Sequence, residues 1–233
     1  LGFLPHTNAG ILQFEEMAQL KTVNVSMGLM LEQMTPTLLE TVHRHAPSKV
    51  PAVRLQQLEW AGQLQIPFTT GLLLGIGETE RDWLVTLETI AQVHYRYAHV
   101  QEVILQPHCP GQHQAWAGEA FSPETLAAVV RLARRVLPNE ITIQIPPNLV
   151  PAPEYLLACL EAGATDLGGI GPKDEVNPDY PHPHDAALTI TLNDLGWQLH
   201  PRLPIYPQYD GWLSDRLRAS VQGWRDRLAL LSP

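Results

Sequence analysis

The sequence predicts an α/β fold, most of an eight-stranded (β/α)8 barrel entered partway round. Three observations predict it. A short apolar run ending in polar or glycine-rich residues is followed by an amphipathic stretch, and this rhythm recurs six times along the chain. The apolar runs are nearly continuous rather than alternating, as in parallel strands covered by helices. Polar residues gather where those runs stop, and that is where barrel chemistry collects. A doubly wound open sheet is the rival architecture.

Phe3-Leu4 reads as the end of a first strand, and Asn8 to Lys21 as the helix after it, with Ile11, Leu12, Met17 and Leu20 facing inward. Val23 to Met27 is a second strand. Thr35-Pro36 opens a helix with proline in a first-turn position that needs no N–H. Another helix covers Val53 to Ala61 and stops at Gly62. Ile66 to Gly75 is a long, glycine-slackened third strand. Thr79 with Asp82 forms a capping-box-like pair before a helix reaching about Val93. Val100 to Gln106 is the fourth strand. Ser122-Pro123-Glu124 starts a helix along which Leu126, Val129, Val130, Ala133 and Leu137 recur at helical spacing. Ile141 to Ile145, a helix from Pro153 to Leu160 ended by Gly163, and a strand from Ala164 to Ile170 complete the pattern. Residues 1–195 are assigned to the barrel. Residues 196–233, proline-rich and then helical from about Trp212 to Leu230, are assigned to a C-terminal extension packed on it.

Composition narrows the function. The chain has 233 residues, 45% of them hydrophobic, enough for one substantial core. Its formal net charge of -9 argues against nucleic acid or anionic membrane as a partner and leaves a small-molecule substrate as the expectation. Its two cysteines, Cys109 and Cys159, form neither a disulfide framework nor a metal-ligand spacing, which points to a reducing, cytoplasmic setting. No run of 18 apolar residues reads as a membrane span. The ten histidines contain no HExxH, and no nucleophile elbow is present.

The polar strand ends supply the candidate site residues. Gly75-Ile-Gly-Glu78-Thr79 joins a strand to a helix N-terminus, suited to an anionic or nucleoside-like ligand or simply to a capped turn. Asn24, Ser26 and Gly28 alternate, so they share one face, as a hydrogen-bond layer or as contacts to ligand hydroxyls. Arg54 suits a carboxylate ligand or a surface ion pair. Two prolines stiffen the turn that presents Asn148. His6, Thr7, Asn8, Gln106, Gln144, Asn148 and Asp166 sit where the successive strands end, as candidates for lining a substrate pocket.

Six stretches carry a resemblance: Leu4-Pro-His-Thr-Asn-Ala-Gly10, Asn24 to Glu32, Ile66 to Thr79, Val100 to Gln106, Ile143 to Leu149 and Asp166-Leu-Gly-Gly-Ile170. In this order they resemble the first subunit of the deazaflavin (FO) synthase family, within the radical S-adenosylmethionine superfamily. The resemblance implies a radical-SAM-type barrel, a [4Fe-4S] cluster, S-adenosylmethionine, and a 5′-deoxyadenosyl radical. That radical would act on an adduct of 5-amino-6-ribitylamino-uracil and tyrosine-derived material made by a companion radical subunit. It implies that Ser26 and Gly28 approach the adenosine ribose with Glu32 just beyond them, that Arg54 meets the methionine carboxylate, and that Gly75, Gly77 and Glu78 support the adenine. No catalytic acid or base is assigned. The family's Cys-x3-Cys-x2-Cys loop does not occur here, so no metal ligand is assigned, and the cluster cysteines and two strand–helix units are expected upstream of Leu1. Without them the piece is expected to be inactive. The run Gly171 to Asn177 also departs from the family pattern. The alternatives are a non-radical barrel enzyme acting on a small polar metabolite and a catalytically inactive barrel.

Overall fold

The computed structural model describes residues 2–112, 118–171, 174 and 178–231. Five strands, β1 (His6–Thr7), β2 (Ser26–Gly28), β3 (Phe68–Leu74), β4 (Val100–Pro107) and β5 (Thr142–Gln144), form one sheet in chain order with every pair parallel. A parallel bridge from Gln144 to Asp166 extends it by one position, where the sequence predicts the sixth strand. The first strand lies a few residues later than predicted, and Phe3 is exposed.

The helices are α1 (Phe14–Lys21), α2 (Pro51–Gln63), α3 (Glu80–Tyr97), α4 (Pro123–Val136), α5 (Pro153–Ala162), α6 (Asp185–Asp194) and α7 (Asp215–Leu231). Each of α1 to α4 touches the next helix in sequence, up to α5. Consecutive strand order with consecutive helix contacts places these helices on one side of the sheet, the barrel arrangement rather than the doubly wound one. The strands divide accordingly. On β3, Leu72 and Leu74 are fully buried in the core shared with Leu87 and Ile90 of α3, and on β4 Val103 and Leu105 join them. Thr69 of β3 and Glu102 and Ile104 of β4 face the other side, where a cavity lies.

Local chemistry sets the helix boundaries. The Thr79 backbone N–H and hydroxyl both donate to Asp82 Oδ2, at 2.8 and 2.7 Å, starting α3 as predicted. Ser122 Oγ accepts from the Thr125 amide at 3.2 Å to start α4. Gly163, at φ 118°, ends α5 in the left-handed region. Several boundaries differ: the first helix begins at Phe14 rather than Asn8, and α3 runs on to Tyr97. Gly62 does not stop α2, because it packs against the Tyr97 ring and the helix runs to Gln63. The helix opened by Pro36 is a 3-10 turn, Pro36–Glu40.

The C-terminal part builds a second, smaller core. Ile205, Tyr209, Leu213, Leu217 and Val221 pack with Val25, just before β2, and the Tyr209 hydroxyl donates to the Val100 carbonyl at 3.2 Å. Residues 197–206 form a strap between α6 and this core. Among the described residues no helix is long and apolar enough to cross a membrane.

Two outcomes test the packing. Leu105→Ala should cost about 2–5 kcal/mol of unfolding free energy, measured by chemical denaturation, because Leu105 is fully buried between sheet and helices. His99 is fully buried beside the Phe68 and Tyr97 rings, and burial, with His94 adding to it, pushes its pKa from 6.5 to about 3. The unfolded chain therefore takes up a proton that the folded one refuses. His99's contribution is constant above pH 6.5 and is lost as pH falls from there towards 3, by about 1.4 kcal/mol per pH unit. His99→Leu should flatten the acid limb of a Tm-against-pH curve.

Candidate functional site

The inner sheet face borders a cavity of about 1000 Å³. His6 of β1, Thr69 of β3, Gln101, Glu102 and Ile104 of β4, and Gln144 of β5 line it from the sheet. Asp166 and Gly168 follow α5, and Trp197, Leu199, Arg202 and Pro204 close it from the strap.

On the β1–β2 side, His6 and Ser26 are opposite each other in register, with Nδ1 and Oγ 2.8 Å apart. Ser26 gives its single proton to the Pro204 carbonyl. It must therefore accept from His6, which places the imidazole proton on Nδ1. Partial burial first, and the Arg202 charge second, hold the His6 pKa below 6.5. Gly28 makes room for this ring, since a Cβ there would lie 3.0 Å from His6 Nε2. The Thr7 hydroxyl donates to Asn24 Oδ1 at 2.5 Å, beside this pair.

The opposite side is a charged knot. Arg202 reaches from the strap to Asp166, and its Nη2 donates to Glu102 Oε1 at 2.6 Å. The guanidinium carbon lies 5.0 Å over the Tyr206 ring, whose hydroxyl lies 3.0 Å from Asp166 and 3.3 Å from Glu102 and shares its one proton between them. With its amide nitrogen facing Glu102, Gln144 donates to the two carboxylate oxygens at 3.0 and 3.1 Å. Asp166 accepts from the Gly168 amide at 2.6 Å. Burial raises the Glu102 pKa to about 7; the Arg202 charge opposes the rise and Asp166 adds to it. Gly168, at φ 78°, presses on the Gln144 amide, leaving no space for a side chain.

The strand ends past β2 and β3 form two further groups. Glu32 adopts a left-handed backbone, φ 65°, and pairs with Lys49, with Arg54 at 3.2 Å and with His43 at 3.3 Å. Burial works against its charge, but His43, Arg54 and Lys49 together hold the Glu32 carboxyl below its usual range. Arg54 also donates to the Ser48 carbonyl at 2.8 Å and to the Met30 carbonyl, so it is largely engaged within the chain. Lys49 is the more open cation. Two cations against one carboxylate leave one positive charge in excess. In the Gly75–Glu78 turn, Glu78 accepts from the Gly75 and Ile76 amides at 2.6 and 2.8 Å and from Trp83 Nε1 at 2.7 Å. That closes the turn from within and leaves Gly77 exposed at φ 109°.

The sequence-derived candidates thus divide. His6, Gln144 and Asp166 line the cavity, and Ser26 and Gly28 stand directly behind His6. Glu32 and Arg54 meet in one ion cluster, and Gly75, Gly77 and Glu78 form a separate turn. Gln106 is half-buried near the end of β4, and Asn8 is exposed. Asn148 donates to Asp174 at 2.8 Å and to the Tyr180 carbonyl at 2.9 Å, tying down the segment after the bridge. Of the run 171–177, only Gly171 and Asp174 are among the described residues. Sequence reasoning missed Thr69, Gln101, Glu102, Arg202 and Tyr206. One signal was present: Gln101-Glu102 is a polar pair inside an otherwise apolar strand.

The cysteines do not fit an iron–sulfur cluster. Cys159 is fully buried on α5 in the main core, and burial pushes its thiol up to about 11. Cys109 lies 3.7 Å from the Leu149 carbonyl, and burial raises its pKa too. Among the described residues no group of three or more His, Cys, Asp or Glu side chains could hold a metal ion.

Fold and site together define a parallel (β/α) barrel-type protein with a cavity on its inner strand face, polar along the strands and apolar around Leu160, Leu192 and Trp197. The FeFe-hydrogenase maturase HydG from Carboxydothermus hydrogenoformans has a similar fold, with a TM-score of 0.71 at 16% identity over 98% of this chain and 59% of that one. No protein-family model matches the chain. Sequence relatives are far nearer. The 7,8-didemethyl-8-hydroxy-5-deazariboflavin synthase of Trichormus variabilis is 68% identical over 226 residues, 97% of this chain and 66% of the relative. That of Trichodesmium erythraeum is 61% identical over 230 residues, 99% of this chain and 72% of the relative. The chain belongs to the 7,8-didemethyl-8-hydroxy-5-deazariboflavin synthase family, and spans about two thirds of the length of these relatives.

The Glu78 turn gives a local test. Glu78→Ala removes three hydrogen bonds to a carboxylate and should lower unfolding free energy by about 1.5–3 kcal/mol in denaturant titration.

Proposed function

We propose that these residues form the substrate-holding part of a radical S-adenosylmethionine synthase. The reaction is formation of the deazaflavin FO from the adduct of 5-amino-6-ribitylamino-uracil and tyrosine-derived material, through hydrogen abstraction by a 5′-deoxyadenosyl radical and cyclisation. A companion radical subunit supplies the adduct, and the setting is the cytoplasm. What carries the reading is a cavity of about 1000 Å³ on the inner strand face of a chain whose relatives bear that name. Such a volume suits a bicyclic or ribityl-bearing ligand.

The cluster needs ligands from outside these 233 residues, since the two cysteines do not fit it. The role assigned to this chain is therefore to bind, orient and exclude competing hydrogen donors. The excess positive charge of the Lys49–Arg54–Glu32 group supports a site for the methionine carboxylate of S-adenosylmethionine. Ser26, Gly28 and Glu32 are proposed on the ribose side, and Gly75, Gly77 and Glu78 beside the adenine. His6, Gln144 and Asp166, with Thr7, Asn8, Gln106 and Asn148 further out, are proposed on the substrate side. The His6 Nε2 lone pair, fixed by the Ser26 contact, is an acceptor for a substrate N–H or O–H.

Calorimetric titration with 5-amino-6-ribitylamino-uracil should show saturable binding. Anaerobic treatment of the same protein with iron and sulfide should leave it without the visible absorbance of a [4Fe-4S] centre. A folded protein that ignores the ribityl-uracil would refute the substrate assignment, and a stable cluster on these residues would refute the division of labour.

A further inference from the structure

The polar residues that sequence reasoning missed belong to one device. The β3–β4 register shifts between Phe68 and Thr69, which pair with Val100 and Glu102, so Gln101 is the extra residue of a bulge. A bulge breaks the alternation of faces and re-aims side chains. Here both Gln101 and Glu102 line the cavity, although they are adjacent in a strand. Both also touch the strap. Gln101 Nε2 lies 3.3 Å from the Pro204 carbonyl, and Glu102 receives Arg202 at 2.6 Å. Ser26 donates to the same Pro204 carbonyl from β2, two strands away from Gln101 in the sheet. The strap in turn contributes Trp197, Leu199, Arg202 and Pro204 to the cavity wall.

We propose that Arg202 is a positioning residue for the substrate. By gripping Glu102 from β4 and Asp166 from the strand position beyond β5, it clips the strap across the inner strand face. The clipped strap then sets the floor against which a neutral, N–H- and O–H-rich heterocycle of the ribityl-uracil kind is read. This rests on the proposed function and extends it to the residues that shape the uracil-side pocket. The chemistry supports a neutral ligand. Arg202 is already opposed by two carboxylates, so the floor offers no free cation to an anion. Gln144, locked through its nitrogen to Glu102, is held in one orientation by the same knot.

The groups facing Glu102 are Arg202, Asp166, Tyr206, Thr69 and Gln144, with His6 elsewhere on the cavity wall. Removing the Arg202 charge lets Glu102 keep its proton to higher pH, and this gives a readout beyond simple loss of stability. The experiment is calorimetric titration of 5-amino-6-ribitylamino-uracil across neutral pH, with thermal unfolding of each variant. Arg202→Met should weaken binding by about tenfold or more, the scale of a lost charge-assisted hydrogen bond. It should also move the inflection of affinity against pH to the alkaline side. Arg202→Lys should recover part of the affinity, because an ammonium cannot span both carboxylates as the guanidinium does. Adding Glu102→Gln to Arg202→Met should abolish the inflection. Should Arg202→Met fail to fold, Arg202→Gln, which also removes the charge, is read by the same two measurements. A wild type that binds, with Arg202→Met binding at unchanged affinity or at weakened affinity with an unmoved inflection, would overturn the positioning role and leave the proposed function standing. Absence of wild-type binding would overturn the function and this inference with it.

Discussion

The division of β3 and β4 into two chemically different faces is the constraint on which the rest of the molecule depends. Leu72, Leu74, Val103 and Leu105 have no exposed surface, and they bind the sheet to its helices. Burying each such side chain contributes about 1.5–3 kcal/mol. That packing fixes strand register, and register alone decides that Thr69 and Glu102 stand on the opposite side. A slip of one residue would turn a carboxylate into the core and a leucine into the cavity. The site is thus an obligatory consequence of how the outer face packs.

A polar inner face brings its own difficulty, since a buried carboxylate such as Glu102 is costly unless it is paired. The chain answers with residues distant in sequence. Arg202 follows Glu102 by 100 residues and satisfies it together with Asp166. The C-terminal segment therefore belongs energetically to the cavity through its strap, while α7 packs through its own small core around Val25 and Tyr209. Burial raises the Glu102 pKa, and the Arg202 charge opposes that rise.

Much of the fold was legible because its signals are local. The Thr79–Asp82 box, the Ser122 cap and the Gly163 stop each lie within a few residues of the boundary they set. The errors arose where tertiary packing overrode the local signal. Gly62 reads as a terminator, yet the Tyr97 ring uses its missing side chain as a packing surface and α2 continues. The site was half legible. His6, Gln144 and Asp166 were found because polar residues at strand ends stand out. Glu102 and Arg202 were not, because their meaning lies in a pairing that spans half the chain, and a proline-rich tail gives no period from which to read it. The polar pair Gln101-Glu102 in an otherwise apolar strand was the one trace of that pairing within a single strand.

On the proposed function, a ribityl-uracil-type ligand lies between the inner strand face and the C-terminal strap. Amide hydrogen exchange with and without 5-amino-6-ribitylamino-uracil should then show added protection in β4, in β5 and in residues 197–206 together. Protection confined to the segment around Glu32 and Lys49, with none in the strap, would contradict it.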